Sequence, residues 1–270
     1  MTDSGILELQ GASLAWDTAG HGPGVVLLHG FSCDTRMWDP QTRALAPTYR
    51  IVRYDLRGFG ASSLPSGPYD HADDLLAMID SHGLQRPLVV GLSLGANIAL
   101  AFARRFPDRL SGLLLAAPGL PGHVWTEERP PEAAKAYART HDVAAVKAFW
   151  LGHPLFASLA DAPRARDVMT AMVEDYSGWH WTNTDPQAPI PGLPEALPTI
   201  ATPTLVISGE RDAAGYREIA RRIAADMPQA RLVSLKDVGH MVNLEAEDAF
   251  NRLLLQFADE TAPATSEATQ

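Results

Sequence analysis

The sequence predicts an α/β fold: a mostly parallel central sheet flanked by helices, with a helical insertion between two of its strands. Three observations carry that reading. Short apolar runs of strand length alternate with stretches at helical spacing up to about residue 119, the pattern of a sheet covered on both faces. The alternation stops between about 120 and 201, where Pro-rich segments separate helical stretches, and resumes over 202–258. A glycine-flanked serine, Gly91-Leu92-Ser93-Leu94-Gly95, stands between an apolar run and a helix-forming segment, as a tight turn at the end of a strand would.

The elements follow in order. Ile6 to Gln10 and Ser13 to Asp17, with Gly11 between them, read as a hairpin opening the sheet. Val25 to Leu28, bounded by Gly-Pro-Gly and His-Gly, reads as a buried strand, with a helix over Asp39 to Ala46 after it. Ile51 to Tyr54 is the next strand, closed by Asp55-Leu56-Arg57-Gly58-Phe59-Gly60. Asp70 to Ser81 carries Leu75, Leu76, Met78 and Ile79 at helical spacing and ends at Gly83. A strand over Leu88 to Val90 and a helix over Ala96 to Ala103 flank Ser93, and Leu113 to Ala116 is a strand stopped by Pro118-Gly119. Helices are expected over Glu132 to Lys147 and Pro163 to Tyr176, before the Pro-rich stretch Pro186 to Pro203. Strand Thr204 to Ser208, helix Gly215 to Ala225, strand Arg231 to Leu235 and helix Glu245 to Ala258 complete the core. The expected organisation is a core of residues 1–119 and 202–258, a helical cap or lid over 120–201, and a polar, disordered tail over 259–270.

A chain of 270 residues with 46% hydrophobic and 20% charged residues can bury one large core. The net charge of −10 argues against nucleic acid or an anionic membrane as partner. The single cysteine, Cys33, precludes an internal disulfide and fits a reducing cytoplasm, and it reads as a passive small residue. The N-terminus lacks the basic and apolar segments of a signal peptide. The uncharged stretch from Pro87 to Ala103 has membrane-like composition, but its glycines, Ser93 and Asn97 fit strand, turn and helix better. Composition leaves the oligomeric state open.

A serine on a strand-to-helix turn is a nucleophile candidate, because small flanking residues relieve crowding and the helix N-terminus aims N–H groups at the group attacked. Such a serine needs a base to take its proton and a carboxylate to orient that base. Asp212 lies just past the run Thr204 to Ser208, and His240 just past Arg231 to Leu235. In a parallel sheet, loops after the strands open on one edge, where the three residues can meet. His29-Gly30-Phe31, after an earlier strand, can present the Phe31 N–H beside the Leu94 N–H as two donors to an oxyanion.

The order Ser, Asp, His, with His-Gly-Phe upstream and Gly-His-Met-Val-Asn-Leu-Glu near the end, resembles the α/β-hydrolase fold from about Gly5 to Ala258. The resemblance implies that Asp55 to Ser62 is a structural loop. It implies a hydrolase of a small, hydrophobic ester or lactone acting through Ser93, His240 and Asp212, with no metal and no organic cofactor. Gly-Leu-Ser-Leu-Gly is similar to carboxylesterases and 3-oxoadipate enol-lactonases, although Leu94-Gly95-Ala96 stands where the latter have Met-Gly-Gly. Carbon–carbon bond hydrolases and cofactor-free perhydrolases or haloperoxidases share the same triad, and a small-molecule receptor with weak catalysis is an alternative from another class.

Rival roles exist for each group. Asp212 could cap a helix, with Glu210 as the acid, and Asp237 reads as a local turn residue. His29 reads as a brace for the Gly30-Phe31 turn. The Gly58-Phe59-Gly60 segment lacks the third glycine of a dinucleotide loop. His123, His141, His153 and His180 fall in the insertion without paired ligand spacing. Trp125, Trp150, Trp179 and Trp181 also fall there; they are expected to divide between packing the insertion onto the core and lining an apolar pocket over Ser93, chiefly through Gly178-Trp179-His180-Trp181.

Overall fold

A computed structural model describes residues 3–262. Strands β1 (Asp3–Leu9) and β2 (Ala12–Gly20) form the opening hairpin. They are followed by β3 (Gly24–Leu28), α1 (Asp39–Leu45), β4 (Arg50–Tyr54), α2 (His71–Ser81), β5 (Leu88–Leu92), α3 (Leu94–Arg105) and β6 (Gly112–Ala116). The sheet resumes with β7 (Thr204–Gly209) and β8 (Ala230–Leu235) after a long helical segment. Its eight strands run in the order β1-β2-β4-β3-β5-β6-β7-β8; β1 with β2 and β2 with β4 are antiparallel, and the other pairs are parallel.

This order reverses direction at β3: the chain moves outward to β4, then back across β3 to β5 and on to β8. Right-handed crossovers therefore put α1 on one face of the sheet and α2 and α3 on the other. Strands β5 and β6 are buried at every position and read as continuous apolar runs, because helices cover both faces. Where the order reverses, the loops after β3 and β5 diverge and leave a crevice at the carboxyl edge, the place for a ligand in such a sheet.

Five helices lie between β6 and β7: α4 (Pro130–Tyr137), α5 (Val143–Leu151), α6 (Pro163–Asp175), α7 (Trp179–Thr182) and α8 (Leu193–Ala196), with 3-10 turns over Pro154–Asp161 and Leu197–Thr199. Among the described residues this segment contributes no strand, only an isolated bridge between Tyr69 and Gln187. The single helix expected over Glu132 to Lys147 is two. The Asp142 carboxylate accepts the Ala145 N–H at 2.8 Å and starts α5 afresh after Thr140-His141.

Helix α9 (Ala214–Asp226) connects β7 to β8, and the chain ends in α10 (Val242–Glu245) and α11 (Glu247–Thr261). The last expected helix, Glu245 to Ala258, is thus broken at Ala246, whose backbone leaves the helical region (φ −127°, ψ 50°). It also runs into the stretch expected to be a disordered tail. Arg231 pairs with Glu260 at 2.6 Å, and the Thr261 hydroxyl donates to the Phe257 carbonyl at 2.8 Å, so sheet and helix hold residues 259–261. The rest of that tail, 263–270, lies outside the described residues. Among the described residues no single helix is long and apolar enough to cross a membrane.

Candidate active site

Ser93 stands at the apex between β5 and α3 with φ 53° and ψ −104°, a backbone region costly for a residue with a side chain. Its N–H donates to the Ala116 carbonyl at 2.9 Å, tying the turn to β6. The flanking glycines are required by space. A Cβ on Gly91 would lie 2.3 Å from the Gly95 carbonyl carbon, and one on Gly95 would lie 2.2 Å from the Leu28 carbonyl oxygen. Two glycines thus let the turn close against itself and against the end of β3.

His240 follows β8 and Asp212 follows β7, and both are buried. His240 Nδ1 lies 3.0 Å from each Asp212 carboxylate oxygen, while the Ala213 N–H donates to Asp212 Oδ1 at 2.7 Å. A carboxylate on Nδ1 fixes the proton there and leaves Nε2 free to accept. Glu210 is exposed, and Asp237 occupies an exposed turn with φ 61°. The His240 loop is held by a group that sequence reasoning had not singled out. Glu245 accepts the Gly239 N–H at 2.8 Å with one oxygen and the Met241 N–H at 3.0 Å with the other, straddling the histidine. Asn243 anchors the same segment to the α1 region by donating to the Met37 carbonyl at 2.9 Å.

After β3, His29 Nδ1 donates to the Gly30 carbonyl at 2.8 Å and Nε2 accepts the Leu56 N–H at 2.9 Å. Complete burial lowers its pKa, so the imidazole stays neutral and braces the turn. Two residues on, Phe31 meets Phe59, Trp150, Tyr176 and His180 edge-on at 5.6–6.0 Å. Trp150 Nε1 donates to Ser32 Oγ at 2.7 Å, and that hydroxyl donates to the Phe31 carbonyl at 2.6 Å. A helix of the inserted segment therefore fixes the backbone of the Phe31 turn. Asp55 accepts the N–H groups of Thr35 and Ala61, both at 2.8 Å, and so ties the loop after β4 to the one after β3.

A cavity of about 380 Å³ opens over Ser93 and Leu94. Phe31, Ile98, Leu120, Trp125 and Tyr216 give it apolar walls, whereas His71, Lys135, His180, Asp185 and Gln187 make the rest polar. Burial pushes His71 down to about 3 and His180 down to about 4, so both line it as neutral rings. A recess of about 20 Å³ also borders Ser93, bounded by His240, Tyr216, Cys33, Trp150, Phe156 and Met169. Of the four tryptophans expected to divide between packing and pocket lining, Trp125 borders the large cavity and Trp150 the small recess. Trp179 and Trp181 border neither: Trp181 is buried against Tyr176 and Trp150, and it is His180 between them that reaches the cavity, stacked on Phe59 at 4.2 Å. Successive side chains on a helix are turned by about 100°, so His180 can face the cavity while Trp179 and Trp181 point elsewhere.

Cys33 is buried beside Met169, with Sγ 3.8 Å from the thioether sulfur, and burial raises its pKa, so it is an inert packing residue. Among the described residues, no group of three or more His, Cys, Asp or Glu side chains is placed to hold a metal ion.

The model of the alpha/beta hydrolase family matches residues 25–253. The chain belongs to this family. It is 30% identical over 251 residues to a putative carbamate hydrolase of a Caulobacter species, covering 86% of this chain and 89% of the relative. The structure of an N-acyl homoserine lactone degrading enzyme is 29% identical and superposes with a TM-score of 0.79, over 94% of this chain and 100% of the other. The enol-lactonase of Burkholderia xenovorans is 27% identical, with a TM-score of 0.78 over 94% and 100%. The hydrolase family assignment and the sheet-and-helix architecture agree with the sequence reading.

Proposed function

We propose that this hydrolase cleaves a small ester or lactone, with Ser93 as nucleophile, His240 as base and then acid, and Asp212 as the group that orients it. The observation that carries the reading is the His240 imidazole, 3.0 Å from both Asp212 oxygens and bordering the same recess as Ser93. In acylation, Oγ bonds to the carbonyl carbon while its proton moves to His240 Nε2. The N–H groups of Phe31 and Leu94 stabilise the oxyanion, and collapse breaks the C–O bond as His240 returns the proton to the leaving oxygen. Water, deprotonated by the same imidazole, then releases the acid.

Residues 120–201 act in this reading as a cap, since Trp125, Lys135, His180 and Gln187 come from that stretch and border the cavity. The lactone-degrading relatives support an ester or lactone carbonyl as target, and about 380 Å³ suits a small molecule. The polar part of the lining modifies the expectation of a hydrophobic substrate: the cavity offers hydrogen-bonding groups as well as aromatic side chains. The single buried Cys33 makes no demand for an oxidising environment, which suits the cytoplasm.

The test is fluorophosphonate labelling with the modified residue mapped, alongside a chain-length series of p-nitrophenyl esters and lactones. Label on Ser93 is expected, with activity reduced by about 10³-fold or more in Ser93→Ala. Label on another residue overturns the mechanism; slow turnover with tight ligand binding points instead to a receptor.

A further inference from the structure

We infer that Tyr216 is a further catalytic residue of this site, its hydroxyl donating a hydrogen bond to the oxygen that departs with the alcohol. The inference rests on the Ser93 reading above and deepens it. Tyr216 lies in the first turn of α9, one helical turn after Asp212, so the acid and the phenol are delivered by the same piece of backbone. It is 4% exposed and borders both the large cavity and the small recess, so it stands at the junction where the two meet at Ser93. Its ring centre is 4.3 Å from that of His240, tilted by 50°, and it lines the same cavity and recess as Ser93.

The neighbouring residues hold the phenol in place. Trp125 meets its ring edge-on at 5.0 Å. The adjacent Gly215 is bare because a Cβ there would lie 2.3 Å from the Trp125 ring, and its N–H donates to Glu127 Oε1 at 3.1 Å. Burial and the Asp212 charge raise the phenol pKa, which keeps the proton on the oxygen and the group a donor.

The contact of the Tyr216 ring with His240 points to its role. Carbonyl oxygen charge falls to the backbone N–H groups of Phe31 and Leu94. Tyr216 instead flanks His240, the group that hands its proton to the leaving oxygen. During acylation the Ser93 proton passes to His240, the bond from Oγ to the carbonyl carbon forms, the bond to the leaving oxygen breaks, and the proton passes to that oxygen. Tyr216 keeps its own proton throughout and supplies only a hydrogen bond, which strengthens as the leaving oxygen gains charge. A good leaving group hardly needs it, and a poor one does.

The experiment compares wild type with Tyr216→Phe, which retains the ring, on aryl butyrates from p-nitrophenyl through phenyl to p-methylphenyl, read as kcat/KM. The expected loss is about two-fold on the p-nitrophenyl ester and about ten-fold or more on the p-methylphenyl ester, the scale of one hydrogen bond to a charged oxygen. Fluorophosphonate labelling at Ser93 should proceed in the variant, showing the nucleophile intact. Equal loss across the series, or none, overturns the inference. A wild type that turns over none of these esters and takes no label fails the Ser93 reading itself, an outcome distinct from parallel lines measured on an active enzyme.

Discussion

At the scale of single residues, the site depends as much on what holds the reacting groups as on the groups themselves. Glu245 binds N–H groups on both sides of His240, so its removal frees the loop without touching the imidazole. Glu245→Ala should lower kcat by about ten-fold with little change in KM, since an angstrom of misplacement in a catalytic group costs on this scale, and Glu245→Gln should recover part of it. Steady-state kinetics on a p-nitrophenyl ester checks this; unchanged kcat in both variants would remove Glu245 from the positioning machinery. Ser93, Asp212 and His240 were legible as candidates because each follows an apolar run closely, with glycines close by. Glu245 appeared in the sequence only as the end of a motif, and Tyr216 as an aromatic in a helix. Nothing in one dimension says that a carboxylate turns back onto the loop before it or that a phenol faces a histidine.

At the scale of elements, alternating strands and helices of the core were readable because buried parallel strands are nearly all apolar and end at Gly, Pro or Asp. Helix breaks were not. Residues 132–147 show continuous helical composition, yet Asp142 captures the Ala145 N–H and begins a second helix. Asp142→Ala should therefore destabilise the protein by about 1 kcal/mol, seen as a lowered denaturation midpoint, while Asp142→Ser or Asp142→Asn should be nearly neutral. An unchanged midpoint in the alanine variant would show that packing of Val146 and Trp150 alone fixes where α5 starts. The same helix carries Trp150 to Ser32, so the inserted segment and the Phe31 turn are one mechanical unit.

At the scale of the whole molecule, three buried histidines, His29, His71 and His180, are held neutral by desolvation, the latter two at about 3 and about 4. In the unfolded chain each binds a proton below its ordinary pKa of about 6.5, and in the folded chain it does not until much lower pH. The sign follows: stability is full above that ordinary value and falls as the pH drops toward the folded-state values. By pH 5 His71 and His180 each cost about 2 kcal/mol. Urea denaturation at pH 7.5 and pH 5 should show this loss in wild type and about 2 kcal/mol less of it in His71→Gln. Equal losses in the two proteins would assign the acid sensitivity elsewhere. The sequence by itself determined the class of fold and the strand ends, and it singled out three candidate side chains for the site, because burial pattern and turn chemistry are local properties of the chain. Only the tertiary structure decided what surrounds them. The sheet order β3-β5-β6-β7-β8 brings the Phe31 turn, Ser93, Asp212 and His240 to one edge, and residues of the segment between β6 and β7 line the cavity beside Ser93. Which side of a short helix faces the cavity, as with His180 rather than Trp179 or Trp181, is set by contacts between residues far apart in sequence, and no local pattern encodes it.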